Sequence, residues 1–77
     1  MAEHMIISSD YFNALYTDGR LTLSGKPDRV DAETLARVHP TASVYGMDSD
    51  VYFDLLDGNG YPADAESLPL ERLTRYR

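Results

Sequence analysis

Residues 14–23 read ALYTDGRLTL, and this stretch carries the clearest local structural signal in the chain. In it, Asp18-Gly19 lies between two runs of β-prone residues. A two-residue hairpin turn needs φ > 0 at both central positions, and Asp-Gly is among the few pairs that accept it. The stretch therefore predicts a β-hairpin over residues 14–23, from which the rest of the chain can be placed.

The segments next to the hairpin carry weaker signals. Residues 6–12 are expected either as an extended lead-in to the hairpin or as one helical turn, capped within Ser8-Ser9-Asp10. Residues 24–27 read SGKP, which is typical of a turn.

A helix is predicted between Asp31 and Pro40. Asp31 is a suitable N-cap, and Glu33 places an anion in the first turn, where the helix dipole favours it. Val30 and Leu35 fit the two positions of a hydrophobic staple. Pro40 ends the helix because the residue before a proline avoids the helical conformation.

Residues 48–57 read DSDVYFDLLD and support two interpretations. We expect a strand, since Val, Tyr and Phe in succession favour one. Such a strand would turn Val51, Phe53 and Leu55 toward the core and turn outward Asp48, Asp50, Tyr52 and Asp54. A helix would instead align Asp50, Asp54 and Asp57 as a stripe, with Gly58 just after its end. In both interpretations the carboxylates share one face.

The last third of the chain completes the predicted fold. Residues 58–60 are expected to turn, Tyr61-Pro62 to begin a return strand, and residues 68–77 to form a short helix with Pro69 at its first position. Together the segments predict an α+β fold. It consists of a small antiparallel sheet of three to four strands with one or two short helices on one face.

The composition limits the class of protein. A chain of 77 residues is one small domain, and the absence of cysteine excludes disulfides and thiolate metal sites. Residues 1–4, which precede Met5, are interpreted as an expression-tag remnant, so residues 5–77 form the domain. We find no apolar run of the roughly 20 residues needed to span a membrane and no signal peptide. A cytoplasmic location is therefore expected.

The sequence does not predict an enzyme. An EF-hand pattern that begins at Asp57 has the wrong residue type at three of its positions. One histidine, His39, remains outside the tag-like segment, and there is no cysteine or Gly-x-Ser-x-Gly motif to supply a nucleophile. No glycine-rich loop leads to a lysine that could bind nucleotide phosphates. We therefore expect no catalysis, no cofactor and no metal.

The charge distribution carries the functional prediction. The chain has a net charge of −6, and between Arg37 and Arg72 it has seven acidic residues and no Lys or Arg. This excess of acidic residues predicts a negatively charged surface. Such a surface repels nucleic acid and anionic lipid and attracts basic partners. The residues predicted to contact a partner are Asp48, Asp50, Tyr52, Asp54, Asp57, Asp64 and Glu66.

In size, acidity and lack of catalytic residues the chain is similar to the small inhibitors of phages, including anti-CRISPR proteins and DNA mimics, without a diagnostic motif. Alternate carboxylates of a strand would lie about 6.6 Å apart and could imitate a nucleic-acid backbone. We therefore expect a protein that occupies a basic, nucleic-acid-binding surface of a protein or nucleoprotein complex. It would not bind nucleic acid or membrane directly, and a homodimer is compatible with so small a core.

Two other hypotheses remain open. In the first, the protein is a small adaptor or antitoxin-like module that binds through exposed apolar residues, and its acidic face only keeps it soluble. In the second, clustered carboxylates bind a divalent ion.

Overall fold

The computed structural model describes residues 3–56 and 60–77, with the backbone alone for residues 55 and 56. A mixed sheet of five strands in the order β3-β2-β1-β4-β5 organises this part of the chain. β1 and β4 are parallel, and the other neighbouring strands are antiparallel. The strands are β1 (His4–Ser8), β2 (Asn13–Thr17), β3 (Arg20–Gly25), β4 (Ser43–Gly46) and β5 (Thr74–Arg75).

The α+β class is confirmed, whereas the purely antiparallel sheet of three to four strands was wrong. The described residues include two α-helices, α1 (Ala32–Val38) and α2 (Ser49–Leu56). They also include two short 3₁₀ turns, Ala65–Ser67 and Leu70–Arg72. Within the described ranges, no helix is both long enough and apolar enough to cross a membrane.

The predicted hairpin is confirmed as β2 and β3. Its turn residues have positive φ, 52° at Asp18 and 83° at Gly19, as a two-residue hairpin turn requires. A bulge shifts the register so that Leu21 pairs with Tyr16 and Leu23 pairs with Leu15. Leu21 and Leu23 therefore lie on opposite faces of the sheet although they are two residues apart.

The helix predicted after Asp31 is confirmed as α1. The Asp31 carboxylate accepts hydrogen bonds from the Glu33 N–H (3.4 Å) and the Thr34 hydroxyl (2.8 Å). His39 is the C-cap, and its backbone N–H donates to the Leu35 carbonyl. Local capping thus fixes both ends of this helix.

The two helices lie on opposite faces of the sheet, which corrects the expectation of one covered face. Ile6 belongs to the core under α1, with Leu15 and Ala42. Ile7 belongs to the core on the other face, with Val51 and Tyr52 of α2. Successive side chains of a strand point to opposite faces, so Ile6 and Ile7 make both faces of β1 apolar. A helix must therefore pack on each face of the sheet to bury them.

Residues 49–56 are helical, so the expected strand was wrong. Tyr52, expected to point outward, is 5% exposed, and Phe53, expected in the core, is 55% exposed. Helical periodicity places the adjacent residues Val51 and Tyr52 together on the buried side, which a strand cannot do. Residues 57–59, which include Asp57 and Gly58, lie outside the described residues.

Two predictions for the last third of the chain were also wrong. Tyr61-Pro62 does not start a strand, and Asp64 makes only an isolated bridge with Arg20. The expected helix over residues 68–77 is replaced by a 3₁₀ turn and by β5. There the Tyr76 N–H donates to the Val44 carbonyl (2.8 Å), so pairing with β4 satisfies backbone groups that the helix would have used.

Candidate functional site

An aromatic pair lies on the protein surface where α2 meets the β1–β2 loop. β1 and β4 are parallel, and the Met47 N–H donates to the Ser8 carbonyl (2.8 Å), so the segments that follow both strands emerge at the same end of the sheet. Tyr11 in the loop contacts Phe53 of α2, with ring centroids 5.1 Å apart. Tyr11 is 42% exposed and Phe53 is 55% exposed, so two neighbouring aromatic rings face solvent.

Three exposed acidic residues lie close to this pair in the chain. Asp50 and Asp54 are exposed on α2, three residues before and one residue after Phe53, and Asp10 precedes Tyr11. On a helix, residues three and four apart are neighbours, so Asp50 lies beside both Phe53 and Asp54. We call the five residues Asp10, Tyr11, Asp50, Phe53 and Asp54 the α2 surface.

The loop that carries Tyr11 is held by side-chain hydrogen bonds. The Asn13 side chain, which is almost fully buried, accepts from the Ser9 N–H (2.9 Å) and donates to the Val30 carbonyl (2.7 Å). The Tyr61 hydroxyl donates to the Phe12 carbonyl (2.6 Å), and the Ser9 hydroxyl donates to the same carbonyl. Four hydrogen bonds therefore fix the loop that carries the exposed ring of Tyr11.

Tyr52 was predicted to face solvent, but it is buried and lies beneath the rings of the α2 surface. Its ring centroid lies 5.5 Å from that of Tyr11 and 5.5 Å from that of Phe53. Beneath it, Tyr61 meets it edge-on at 6.5 Å. Burial raises the pKa of Tyr61 to about 12, so its phenol stays protonated and remains a donor at neutral pH.

One basic residue reaches the α2 surface. Arg72 lies 3.4 Å from Asp54 (Nη2 to Oδ2), the one salt bridge within the described part of the chain. The other two arginines of the C-terminal segment have different contacts. Arg75 lies 6.0 Å from the centre of the Tyr45 ring, and Arg77 donates to the His39 carbonyl (3.1 Å) at the end of α1.

The structure divides the predicted acidic set. Asp48 flanks the start of α2, and its carbonyl accepts from the Tyr52 N–H (2.9 Å). Asp64 and Glu66 lie at the opposite end of the sheet, where the Ala65 N–H donates to the Gly19 carbonyl (2.8 Å). Asp57 lies outside the described residues. The seven predicted residues therefore do not form one continuous surface.

Sequence reasoning missed three members of the α2 surface, namely Asp10, Tyr11 and Phe53. Helical spacing in residues 48–57 was the available signal for Phe53, because it places residue 53 beside Asp50. No signal pointed to Tyr11, since its position depends on the parallel pairing of β1 with β4.

Other candidate sites carry less chemistry. A cleft of about 610 Å³ lies at the opposite end of the sheet, lined by Glu3, Tyr16 and Ser43 among others. The ring of His39 lies against that of His4, with centroids 4.0 Å apart. Among the described residues, no group of three or more His, Asp or Glu side chains is placed to hold a metal ion.

Comparison with known proteins identifies no relative: no family model, curated protein or solved structure matches this chain.

Proposed function

We propose that this protein is a non-catalytic binding protein whose α2 surface binds a basic surface of a protein or nucleoprotein complex. The observation that carries the proposal is the exposed pair Tyr11 and Phe53 beside the carboxylates of Asp50 and Asp54. Aromatic rings supply contact area and attract cations to their faces, and carboxylates pair with the same cations. The combination is complementary to lysine and arginine side chains.

The rigidity of the surface supports the same proposal. Binding costs less free energy when the contacting groups are already ordered. Side-chain hydrogen bonds of Asn13 and Tyr61 order the loop under Tyr11. The buried ring of Tyr52 supports Tyr11 and Phe53 from below. The α2 surface thus has the rigid aromatic anchors that are enriched at protein interfaces.

The proposed mode of action is exclusion of nucleic acid from the partner. Asp50 and Asp54 are one helical turn apart, about 6 Å along the axis, and present two negative charges to a basic groove. A protein that occupies such a groove acts as an inhibitor of the DNA-mimic or anti-CRISPR kind. The support is the charge and the spacing on α2, which replace the regular strand spacing expected from the sequence.

An adaptor or antitoxin-like module is the second candidate. The exposure of Tyr11 and Phe53 favours it, because an apolar contact could be made without the aspartates. The two candidates differ in salt dependence. Binding through charge weakens as salt is added, whereas binding through buried apolar area does not.

The proposal is tested with a labelled octaarginine peptide and matched charge variants. The double variant Asp50→Asn/Asp54→Asn should weaken binding at least about tenfold, and wild-type binding should weaken steeply between about 50 and 300 mM salt. The matched control is Asp64→Asn/Glu66→Gln, which removes two charges at the opposite end of the sheet. Equal losses in both double variants would show that only net charge matters and would overturn the proposal.

The aromatic residues and the mode of action need their own measurements. Tyr11→Ala/Phe53→Ala should weaken octaarginine binding about tenfold while leaving the α2 carboxylates in place. For the inhibitory role, wild-type protein and the Asp50→Asn/Asp54→Asn variant serve as baits in a bacterial lysate. Nucleic-acid-binding proteins retained by the wild type alone, and released by added duplex DNA, are the expected result. Retention that the variant shares and DNA does not affect favours the adaptor.

A further inference from the structure

We infer that an arginine side chain of the partner replaces Arg72 at Asp54, so that Arg72 is an intramolecular competitor for the α2 surface. The inference rests on the proposed function and specifies the chemistry of the group that the surface accepts. It follows from how Arg72 contacts Asp54, from how the Arg72 backbone is held, and from the ring next to Asp54.

The contact between Arg72 and Asp54 is easily displaced. A single pair of atoms, Nη2 and Oδ2, meets at 3.4 Å, which is long for a charge-assisted hydrogen bond. The side chains are 44% and 66% exposed, respectively, and ion pairs this exposed add little to stability. Asp54 can therefore release Arg72 at small cost in free energy.

The backbone of Arg72 does not depend on that ion pair. Arg72 ends the 3₁₀ turn Leu70–Arg72, and its N–H donates to the Pro69 carbonyl (2.8 Å). The following N–H, of Leu73, donates to the Leu70 carbonyl (3.1 Å). When its guanidinium leaves Asp54, only a side chain has to move, and the turn stays in place.

A guanidinium fits the position better than an ammonium. Asp54 and the exposed Phe53 are consecutive on α2, and both are helix-surface neighbours of Asp50. Guanidinium is planar, so it can pair with a carboxylate and stack on an aromatic ring, whereas a lysine ammonium is a strongly hydrated point charge. The same chain already combines a guanidinium with an aromatic ring where Arg75 lies over Tyr45.

The experiment compares Arg72→Gln with Arg75→Gln in binding to labelled octaarginine and octalysine at fixed salt. Each variant removes one positive charge, so the general electrostatic gain is shared, and only Arg72→Gln frees Asp54. We expect Arg72→Gln to bind octaarginine about three- to fivefold more tightly than Arg75→Gln does. Arg72→Lys keeps the charge but replaces the guanidinium with an ammonium, which competes less well for Asp54, so its affinity for octaarginine should lie between those of the wild type and Arg72→Gln. Melting curves verify that each variant is folded.

The outcomes separate this inference from the proposed function. If Asp50→Asn/Asp54→Asn reduces binding but Arg72→Gln binds no more tightly than Arg75→Gln, the competition is overturned and the function stands. Equal affinity of the wild type for octaarginine and octalysine overturns the preference for arginine. If binding does not depend on the α2 carboxylates at all, the proposed function fails and the inference fails with it.

Discussion

The two helices are almost equal in length, seven residues in α1 and eight in α2, yet they differ in how their ends are capped and in how deeply they are buried. α1 has no buried residue, and its ends are fixed by Asp31 and His39. α2 has no basic residue in its last turn, but it buries Val51 and Tyr52 against the sheet. Capping hydrogen bonds thus fix the ends of α1, which packs on the sheet through the partly buried Ala32, Leu35 and Ala36, whereas α2 buries an aromatic side chain fully.

The difference matters for function because only α2 carries an exposed aromatic ring next to carboxylates. The same helix buries Tyr52 and exposes Phe53. Tyr52 therefore stabilises the fold, and the adjacent Phe53 is available to bind a partner. The C-terminal end of α1 is instead capped by Arg77, which donates hydrogen bonds to the Ala36 and His39 carbonyls. Substitutions that separate the two kinds of support test this comparison.

The largest effect is expected from Tyr52→Ala. Truncating a buried aromatic side chain costs about 3 to 5 kcal/mol, which approaches the entire stability of a domain this small. Phe53→Ala is the matched control on the adjacent exposed residue and should cost about 1 kcal/mol at most. The free energy of unfolding in urea measures both. If the two variants lose equal stability, burial of Tyr52 does not hold α2.

Tyr61→Phe should have an intermediate effect that depends on pH. At pH 7 the variant lacks the hydrogen bond to Phe12 and should lose about 1 kcal/mol. Burial raises the pKa of Tyr61 from 10.0 to about 12, so the folded state retains a proton that the unfolded state releases. The stability that the protonated Tyr61 contributes is fully present below pH 10 and is lost as the pH rises toward 12.

Urea unfolding at several pH values between 7 and 12 measures that loss. The wild type should lose stability more steeply above pH 10 than Tyr61→Phe does, although Tyr16, whose pKa is also raised by burial, contributes to the decline in both proteins. Tyr76→Phe, at an exposed position, is the control and should follow the wild type. Parallel curves for the wild type and Tyr61→Phe would contradict the prediction.

The smallest effect is expected at the exposed cap of α1. The hydrogen bond from the Thr34 hydroxyl, with help from the backbone N–H of Glu33, lowers the pKa of Asp31 below 3.8. A lowered pKa gives stability that is present above the unfolded value and is lost as the pH falls through the folded value. Asp31→Ala should therefore be less stable than the wild type at pH 7, by less than Tyr61→Phe, and the difference should shrink in acid.

Thermal melting between pH 7 and pH 2 measures the effect of the cap. Asp31→Asn keeps an oxygen acceptor without a titrating group, so its stability relative to Asp31→Ala should not change with pH. A difference between the wild type and Asp31→Ala that persists unchanged in acid would show that the Asp31 charge does not stabilise α1.

The elements that were predicted correctly depend on residues that are close in the chain. Asp18 and Gly19 adopt positive φ values, and this preference is a property of the Asp-Gly pair itself. Asp31 caps α1 by hydrogen bonds with Glu33 and Thr34, which lie two and three residues further along the chain. Both elements therefore follow from short-range chemistry.

The elements that were predicted wrongly depend on distant contacts. Residues 48–57 have β-prone composition, but the α2 face of the sheet offers apolar surface to Val51 and Tyr52 together, and burial outweighs propensity. Residues 74–77 fit a helical pattern, but the open edge of β4 offers hydrogen-bond partners to them as a strand. Neither the surface nor the edge can be read from the segment itself.

The hairpin, the limits of α1, the α+β class and the large excess of acidic residues follow from neighbouring residues or from composition, so they can be read from the sequence. Tertiary contacts are needed to make α2 a helix, to bury Tyr52 and to bring Tyr11 against Phe53. The physical reason is the parallel pairing of β1 with β4, which brings together two segments about 40 residues apart in the chain. No local preference encodes that pairing, and the α2 surface exists because of it.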